Sequence, residues 1–358
     1  MTLSHGFVVI VPQSSTTTST SHQSLQMSTQ SVPLPETRPL HPHTFAGMVE
    51  QGISERFGSE EADRVIQSWR LLEMDYEHKE FVGDNNNDNP EESLCHQHAH
   101  SYVPGLKAKQ FYDIEEYEWC GKLAGKYKQL KREFTKVTSD MAKLEQDGNN
   151  VWASALTDDA SSYGTGWRTL VLMDRGIWDP TNANLFSKTA KAVRDSGAPV
   201  TEVFFASMQP HSDIQPHSDF TNFVVTSHLG LDIPESGNNK CRLTIGDETR
   251  QWIDGELMMF DTSIQHAAIN ESDQTRYILM LRVWHPDLTV VERSALQFIY
   301  DCLALPDLVS TDATARFQAE LQLKAMKQFP TTAGQTSGGG FGGGTNNKKA
   351  NKGRGNAK

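Results

Sequence analysis

The 358-residue sequence contains only four cysteines, Cys95, Cys120, Cys241 and Cys302, and no two of them stand at C-x-x-C spacing. That is too few for a disulfide scaffold and suits a reducing compartment. Long apolar runs are missing as well. Nothing approaches the roughly 20 residues that a membrane-crossing helix needs. The short patch GFVVIVP near the start has no Lys or Arg before it, so it does not read as a secretory signal, and the arginines of an organelle transit segment are absent from the first 35 residues. These absences lead us to expect a cytoplasmic protein that does not engage membranes. Positive charge is also scarce: 33 Lys and Arg face 45 Asp and Glu, for a net charge of -12. Net charge therefore argues against nucleic-acid binding by the core. The exception is the last stretch, which holds Lys348, Lys349, Lys352, Arg354 and Lys358.

Hydrophobic content is 37%, below the globular norm, and part of the deficit lies in the two ends. Residues 1–40 are Ser, Thr, Gln and Pro with little to bury, and read as a disordered leader. Residues 331–358 read as a disordered, Gly-rich basic tail. Between them, residues 43–150 carry helical patterns. One begins around Ser59, Glu60 and Glu61 and uses Val65, Ile66, Trp69, Leu71, Leu72 and Met74 as its apolar face. Another, over 111–146, is one long helix or two in series, acidic at its start, basic further on, and ended by Gly148. The tract Cys95-His96-Gln97-His98-Ala99-His100 follows a polar, Asn-rich loop. Alternating imidazoles suit Zn, Cu or Ni, but with no second ligand cluster at finger spacing the tract reads as a solvated surface stretch.

After Val151 the texture changes. GWRTLVLMDRG predicts a strand, and NLFSKTAKAVRDSG a short helix stopped by Gly197. Short segments rich in Val, Ile, Phe and Thr predict strands at 201–208, 222–229, 240–246, 256–260 and 275–284. Closely spaced short strands with polar turns indicate a double-sheet jelly roll over 151–290, followed by C-terminal helices over 291–330.

Within this region stand His217 and Asp219, then His266, then Arg276. Two imidazoles and one carboxylate, with coordination positions left open, are the ligand set of non-haem Fe(II) oxygenases. Residues two apart on a strand share a face, so His217 and Asp219 address one point if both lie in a strand. A fold that joins distant strands is needed to bring in His266. Arg276 suits a cosubstrate carboxylate, because a guanidinium pairs with one bidentately and a lysine cannot. PHSD occurs twice, at 210–213 and 216–219, so His211 and Asp213 present the same pattern. His228 interrupts an apolar strand, and His211 and His285 each adjoin a proline.

PHSDFTN, SHLGLDIP, W-x-x-G followed by MMFDTSIQH, and RVWHPDLT resemble the aspartyl/asparaginyl β-hydroxylase family, in order and spacing, across about residues 165–289. The resemblance implies a double-stranded β-helix (jelly-roll) enzyme that uses Fe(II), 2-oxoglutarate and O2 to hydroxylate an amino acid or an Asp, Asn or Pro residue of a peptide. It assigns the first metal histidine to His217 rather than His211, and the second to His266. It places Arg276 and His228 on 2-oxoglutarate and aligns Trp167 near that cosubstrate. Two positions depart from the peptide-hydroxylating branch. Asp219 stands where that branch has glycine, as in relatives that hydroxylate free amino acids such as proline, and Thr226 replaces an arginine. A carboxylate at 219 also argues against halogenation, which needs that coordination position for a halide. Specificity is expected to reside in loops around 153–168 and 209–216 and in the helical extension. The competing reading is a non-catalytic jelly-roll binding protein, which the loss of a ligand residue would favour; all are present. Nothing in the sequence speaks to oligomeric state.

Overall fold

The β-branched and aromatic segments beyond residue 150 form strands that alternate between two sheets, and that alternation is the architecture. The computed structural model describes residues 33–83, 93–154 and 166–330. Most of the leader, the Asn-rich loop, part of the loop before Trp167 and the Gly-rich tail lie outside the described residues.

In chain order the elements begin with α1 (Phe45–Phe57), α2 (Asp63–Glu73), β1 (His78–Phe81) and β2 (His96–Ser101). Three helices follow, α3 (Glu118–Ala124), α4 (Tyr127–Thr138) and α5 (Met141–Asp147), and then β3 (Ala153–Ser154), β4 (Trp167–Asp174) and β5 (Ile177–Trp178). After α6 (Pro180–Leu185) and α7 (Ser187–Ser196) come β6 (Val200–Met208), β7 (Ser212–His217), β8 (Phe220–Thr221) and β9 (Val224–Asp232). The barrel closes with β10 (Cys241–Ile245), β11 (Glu248–Gln251), β12 (Leu257–Phe260), β13 (His266–Asn270) and β14 (Arg276–Trp284), and the described chain ends with α8 (Val290–Ala304) and α9 (Ala313–Met326).

One sheet has the order β12-β9-β14-β6-β4-β3, with β5 paired to β4, and the second has the order β11-β10-β13-β7. The chain therefore passes from β6 to β7 across the sheets, back to β9, over to β10 and β11, back to β12, over to β13 and finally back to β14. This is a double-stranded β-helix. Even-numbered residues of β14 point into the barrel, where Ile278 and Met280 meet Trp167, Phe204, Ile214, Trp252 and Phe260. Odd-numbered ones point outward, where Leu279, Leu281 and Val283 meet Phe134, Phe186 and Phe205. Phe205 is fully buried, with ring centroids 4.9 Å from Phe134 and 4.6 Å from Phe186; burial of such a side chain contributes about 1.5–3 kcal/mol. Glu133 of α4 fixes α7 in place by accepting from the backbone N–H groups of Lys188 (2.9 Å) and Thr189 (2.7 Å), the orphan donors of a helix start.

The open end of the barrel is covered by α1, α2 and α8, which pack with Phe223, Val224 and Trp284. Thr289 and Glu292 form a capping box at the start of α8. Arg64 of α2 grips the same Glu292 through two bonds, at 2.6 and 2.7 Å. The two flanking segments are thus joined to each other over the barrel mouth.

Several local expectations differ from the structure. The first helix begins at Phe45, capped by Thr44, and breaks at Gly58 before α2, because Gly58 takes a φ of +82° that Ser59 onward cannot continue. The stretch over 111–146 is divided into a short 3-10 turn and α3, α4 and α5. The Cys95-to-His100 tract is not a loose surface stretch. It forms β2 in a three-stranded sheet, paired antiparallel with β1 and parallel with β8, and buries Cys95, Gln97 and Ala99.

Candidate functional site

His217 ends β7 and His266 begins β13, and the two are direct partners in the ladder, with ring centroids 4.2 Å apart. Each ring is oriented by its own backbone. Nδ1 of His217 meets the carbonyl of Gln215 at 2.8 Å, and Nδ1 of His266 meets that of Ile264 at 3.0 Å. A carbonyl only accepts, so both Nδ1 atoms carry the proton and the lone pairs sit on Nε2. Asp219 lies beyond the end of β7 rather than within it, so it does not reach the site by strand alternation. Its backbone N–H, bonded to Thr262 O at 2.9 Å, anchors the loop. Its Oδ1 then stands 3.9 Å from His217 Nε2 and 4.0 Å from His266 Nε2. The three ligand atoms all fall within 4.8 Å of one another.

The other carboxylate oxygen of Asp219 accepts from Arg282 Nη1 at 2.5 Å. Burial pushes the Asp219 carboxyl upward, but Arg282 and the two histidines outweigh it and hold the group well below the usual carboxylate range. Burial, reinforced by the neighbouring His217, lowers His266 to about 4, so its ring is neutral at physiological pH. A neutral imidazole and an ionised carboxylate are the forms that bind a metal.

Deeper in the barrel, Arg276 and Trp167 flank Met208 on opposite sides of β6. The Arg276 side chain is completely buried, lies over the Trp252 ring at 4.2 Å and the Trp167 ring at 5.4 Å, and approaches Met208 Sδ at 3.4 Å. Its Nε and Nη1 have no hydrogen-bond partner among the described residues. Burial draws its pKa down from 12.5 to about 9. His228 accepts from Trp252 Nε1 at 3.2 Å through Nδ1, which leaves the proton on an Nε2 that is buried and has no partner among the described residues. Burial, with Arg276 nearby, holds His228 neutral, its pKa well below the ordinary value. His217, Asp219, His266, His228, Arg276 and Trp167 line a single cavity.

A second chamber opens on the other side of Asp219. Arg282, Glu202, Arg175 and Tyr300 supply its polar wall, and Trp69, Leu72, Leu296, Ile299 and Leu303 its apolar one. Glu202 lies 3.6 Å from Arg282 Nε. Arg282 was not singled out from the sequence, although its place six positions past Arg276 on one strand, facing the same way, was a signal that could have found it. Glu202 and Tyr300 carry no motif, and only the fold brings them here. Of the other histidines, His211 makes an exposed contact with Asp273 at 2.8 Å, and His285 meets Tyr112 Oη at 2.9 Å within the interior. Neither enters the cavity.

Residues 127–286 match the sequence profile of the aspartyl/asparaginyl beta-hydroxylases. The match takes in 160 of the 358 residues, just under half of the chain. Among the β-hydroxylase relatives, human aspartate beta-hydroxylase domain-containing protein 2 is 31% identical over 142 residues, covering 37% of this chain and 37% of that protein. Human aspartyl/asparaginyl beta-hydroxylase is 34% identical over 202 residues, covering 55% and 25%. The ornithine lipid ester-linked acyl 2-hydroxylase of Rhizobium tropici is 27% identical over 172 residues, covering 48% and 58%. The chain thus spans less than two thirds of each of these relatives. A cupin conserved barrel domain protein from Salinispora arenicola aligns over 47% of this chain and 94% of its own, at 12% identity and a TM-score of 0.23. Helices α1, α2, α8 and α9 lie outside the β-hydroxylase match. Among the described residues, no helix is long and apolar enough to cross a membrane.

Proposed function

We propose that the chain is an iron(II)- and 2-oxoglutarate-dependent hydroxylase. His217, Asp219 and His266 would hold the metal, and Arg276, His228 and Trp167 would surround the cosubstrate. The observation that carries this reading is the pairing, in one cavity, of three converging metal-binding atoms with a buried guanidinium, two of whose nitrogens have no partner among the described residues. A buried cation without a carboxylate is costly, and the far carboxylate of a dicarboxylic acid would supply the missing partner bidentately. When bound, iron with 2-oxoglutarate and O2 supplies the oxidising power to place one oxygen atom in a substrate C–H bond, the other leaving in succinate alongside CO2.

The protein residues prepare that chemistry. The Gln215 and Ile264 carbonyls fix the imidazole tautomers. Arg282 holds one oxygen of Asp219 so that the other faces the histidines. The Nε2–H of His228 is a donor available to the cosubstrate. Trp167, Trp252 and Phe260 supply apolar walls around Arg276, and low-polarity surroundings would strengthen the ion pair that it would form.

Asp219 is shared by the inner cavity and the mouth chamber. The chamber is therefore the natural seat for the substrate, and its apolar wall is built largely by α2 and α8. The substrate class that fits is an amino acid, free or within a peptide, with its aliphatic part against Leu72 and Ile299 and its polar groups toward Glu202 and Arg175. To test the reading, metal-free protein is reconstituted with Fe(II), supplied with 2-oxoglutarate and O2, and offered amino acids and peptides while succinate is measured. Iron-dependent succinate formation stimulated by one of them is expected; iron-independent turnover would reject the assignment.

Two further outcomes follow. Arg282→Ala is expected to weaken Fe(II) affinity about 10–100-fold, the cost of losing a group that supports a ligand, with partial recovery in Arg282→Lys. Metal titration read by calorimetry checks it. Leu72→Trp, which fills the chamber, is expected to cut substrate-stimulated succinate about tenfold or more while leaving 2-oxoglutarate affinity unchanged. Separate titrations of substrate and cosubstrate distinguish the two effects.

A further inference from the structure

We propose that Glu77, His98 and His100 form a second metal site that takes a borderline divalent ion, zinc foremost, with water completing the coordination. His98 and His100 are two apart on β2 and so share a face, with ring centroids 5.3 Å apart. The register of β1 against β2 pairs His78 with Ala99, which places Glu77, one residue earlier, opposite His100. Both imidazoles turn their Nε2 toward the same carboxylate oxygen. His98 Nε2 is bonded to Glu77 Oε1, and His100 Nε2 lies 3.5 Å from it. The other oxygen, Oε2, is held by Lys79 at 2.9 Å, which fixes the carboxylate with Oε1 facing the rings.

The donor atoms of these three residues lie within 4.8 Å of one another, as they do in the His217, Asp219 and His266 group, and these are the two such groups among the described residues. Around a tetrahedral zinc with bonds of about 2.0–2.2 Å, ligand atoms stand roughly 3.3 Å apart. A small retreat of Oε1 therefore makes room for the ion. Two imidazoles, one carboxylate and a water are a ligand set zinc adopts, and nitrogen donors favour zinc over Fe(II). Phe220 packs across both rings, at 4.6 Å from His98 and 5.0 Å from His100, and shields one side of the site. His96 shares the strand face but packs against Phe81 at 5.3 Å, outside the group.

The placement indicates what the ion would do. Phe220 follows Asp219 directly, adopts a φ of +56°, and pairs through β8 with the strand that carries the two histidines. Ser218, on the other side of Asp219, donates to His98 O at 2.7 Å. An ion bridging β1 and β2 would stiffen the strand on which the Asp219 loop rests. The site is structural in this assignment, with no part in the hydroxylation itself.

The test uses the full-length, metal-stripped protein and reads binding rather than turnover. Zinc content after gel filtration and calorimetric titration are measured on wild type, on a His217→Ala/His266→Ala variant, and on that variant with Glu77→Gln or with His98→Asn/His100→Asn added. Wild type should hold two zinc equivalents, and the first variant one. That remaining equivalent should weaken at least about 100-fold when Glu77→Gln or the His98/His100 change is added, as expected for direct ligands. Glu77→Gln keeps a hydrogen-bond acceptor and its folding is checked by circular dichroism, so it decides the matter even if the double-histidine change unfolds the sheet. If the first variant retains no zinc at micromolar concentration, or retains it equally after Glu77→Gln, the second site does not exist. Neither result depends on whether the chain is a hydroxylase.

Discussion

His266→Ala will lower iron-dependent 2-oxoglutarate turnover by at least about 100-fold. Loss of groups that only support a ligand costs 10–100-fold in metal affinity or activity, and His266 would be a ligand itself. The ring is nearly buried, its Nδ1 is tied to the Ile264 carbonyl, and its direct ladder partner is His217, so no other described side chain stands where it does. Alanine at this position should not unfold the barrel. It removes a polar ring that makes a single bond to its own backbone, and the strand pairings of β13 with β7 and β10 do not use the side chain. The measurement is succinate formation at saturating Fe(II) beside Fe(II) affinity by calorimetry. Unchanged affinity in the variant would remove His266 from the ligand set.

Arg276→Met should have two effects of opposite sign. Cosubstrate affinity should fall about 100-fold, since the lost charge-assisted bonds are together worth roughly 3 kcal/mol. The ligand-free protein should melt at a higher temperature, because methionine relieves a buried cation that has no acidic partner among the described residues. The sign with pH follows from proton binding. The folded value of about 9 lies below the ordinary 12.5, so over that interval the unfolded chain binds more protons than the folded one. Stability of the wild type therefore rises with pH from about 9 upward, and below about 9 the penalty is fully present. The advantage of the methionine variant should be largest at neutral pH and shrink in alkali. Melting curves from pH 7 to 10, with and without 2-oxoglutarate, read both effects. A wild-type protein that 2-oxoglutarate does not stabilise, or a variant that it stabilises equally, would remove Arg276 from the cosubstrate pocket.

The jelly roll was legible where strands are apolar. β6, β9, β12 and β14 follow the predicted segments closely, because both faces of these strands are buried and so read as continuous hydrophobic runs. The strands that hold His217 and His266 were not legible. Ser212–His217 and His266–Asn270 carry the polar groups of the site, and their low strand propensity hides them from a reading by composition. His228 and Arg276 illustrate the converse. Each is an anomaly in an apolar strand, and an unpartnered polar group there signals a task other than packing. The strand-alternation argument for Asp219 differs from the structure: a loop anchored on Thr262 presents it, not alternation along β7. The mouth chamber had no signature at all, since Leu72, Glu202, and the pair Ile299 and Tyr300 come from three separate elements, α2, β6 and α8, and converge only in space.

The Arg64–Glu292 clasp joins two helices that flank the family region on either side in sequence. Between them they roof the chamber, while every atom assigned to the oxidation comes from the strands and loops they enclose. The division would make the proposed reaction and its selectivity separately editable. Changes confined to α2 and α8 would be expected to redirect which molecule is oxidised without disturbing how.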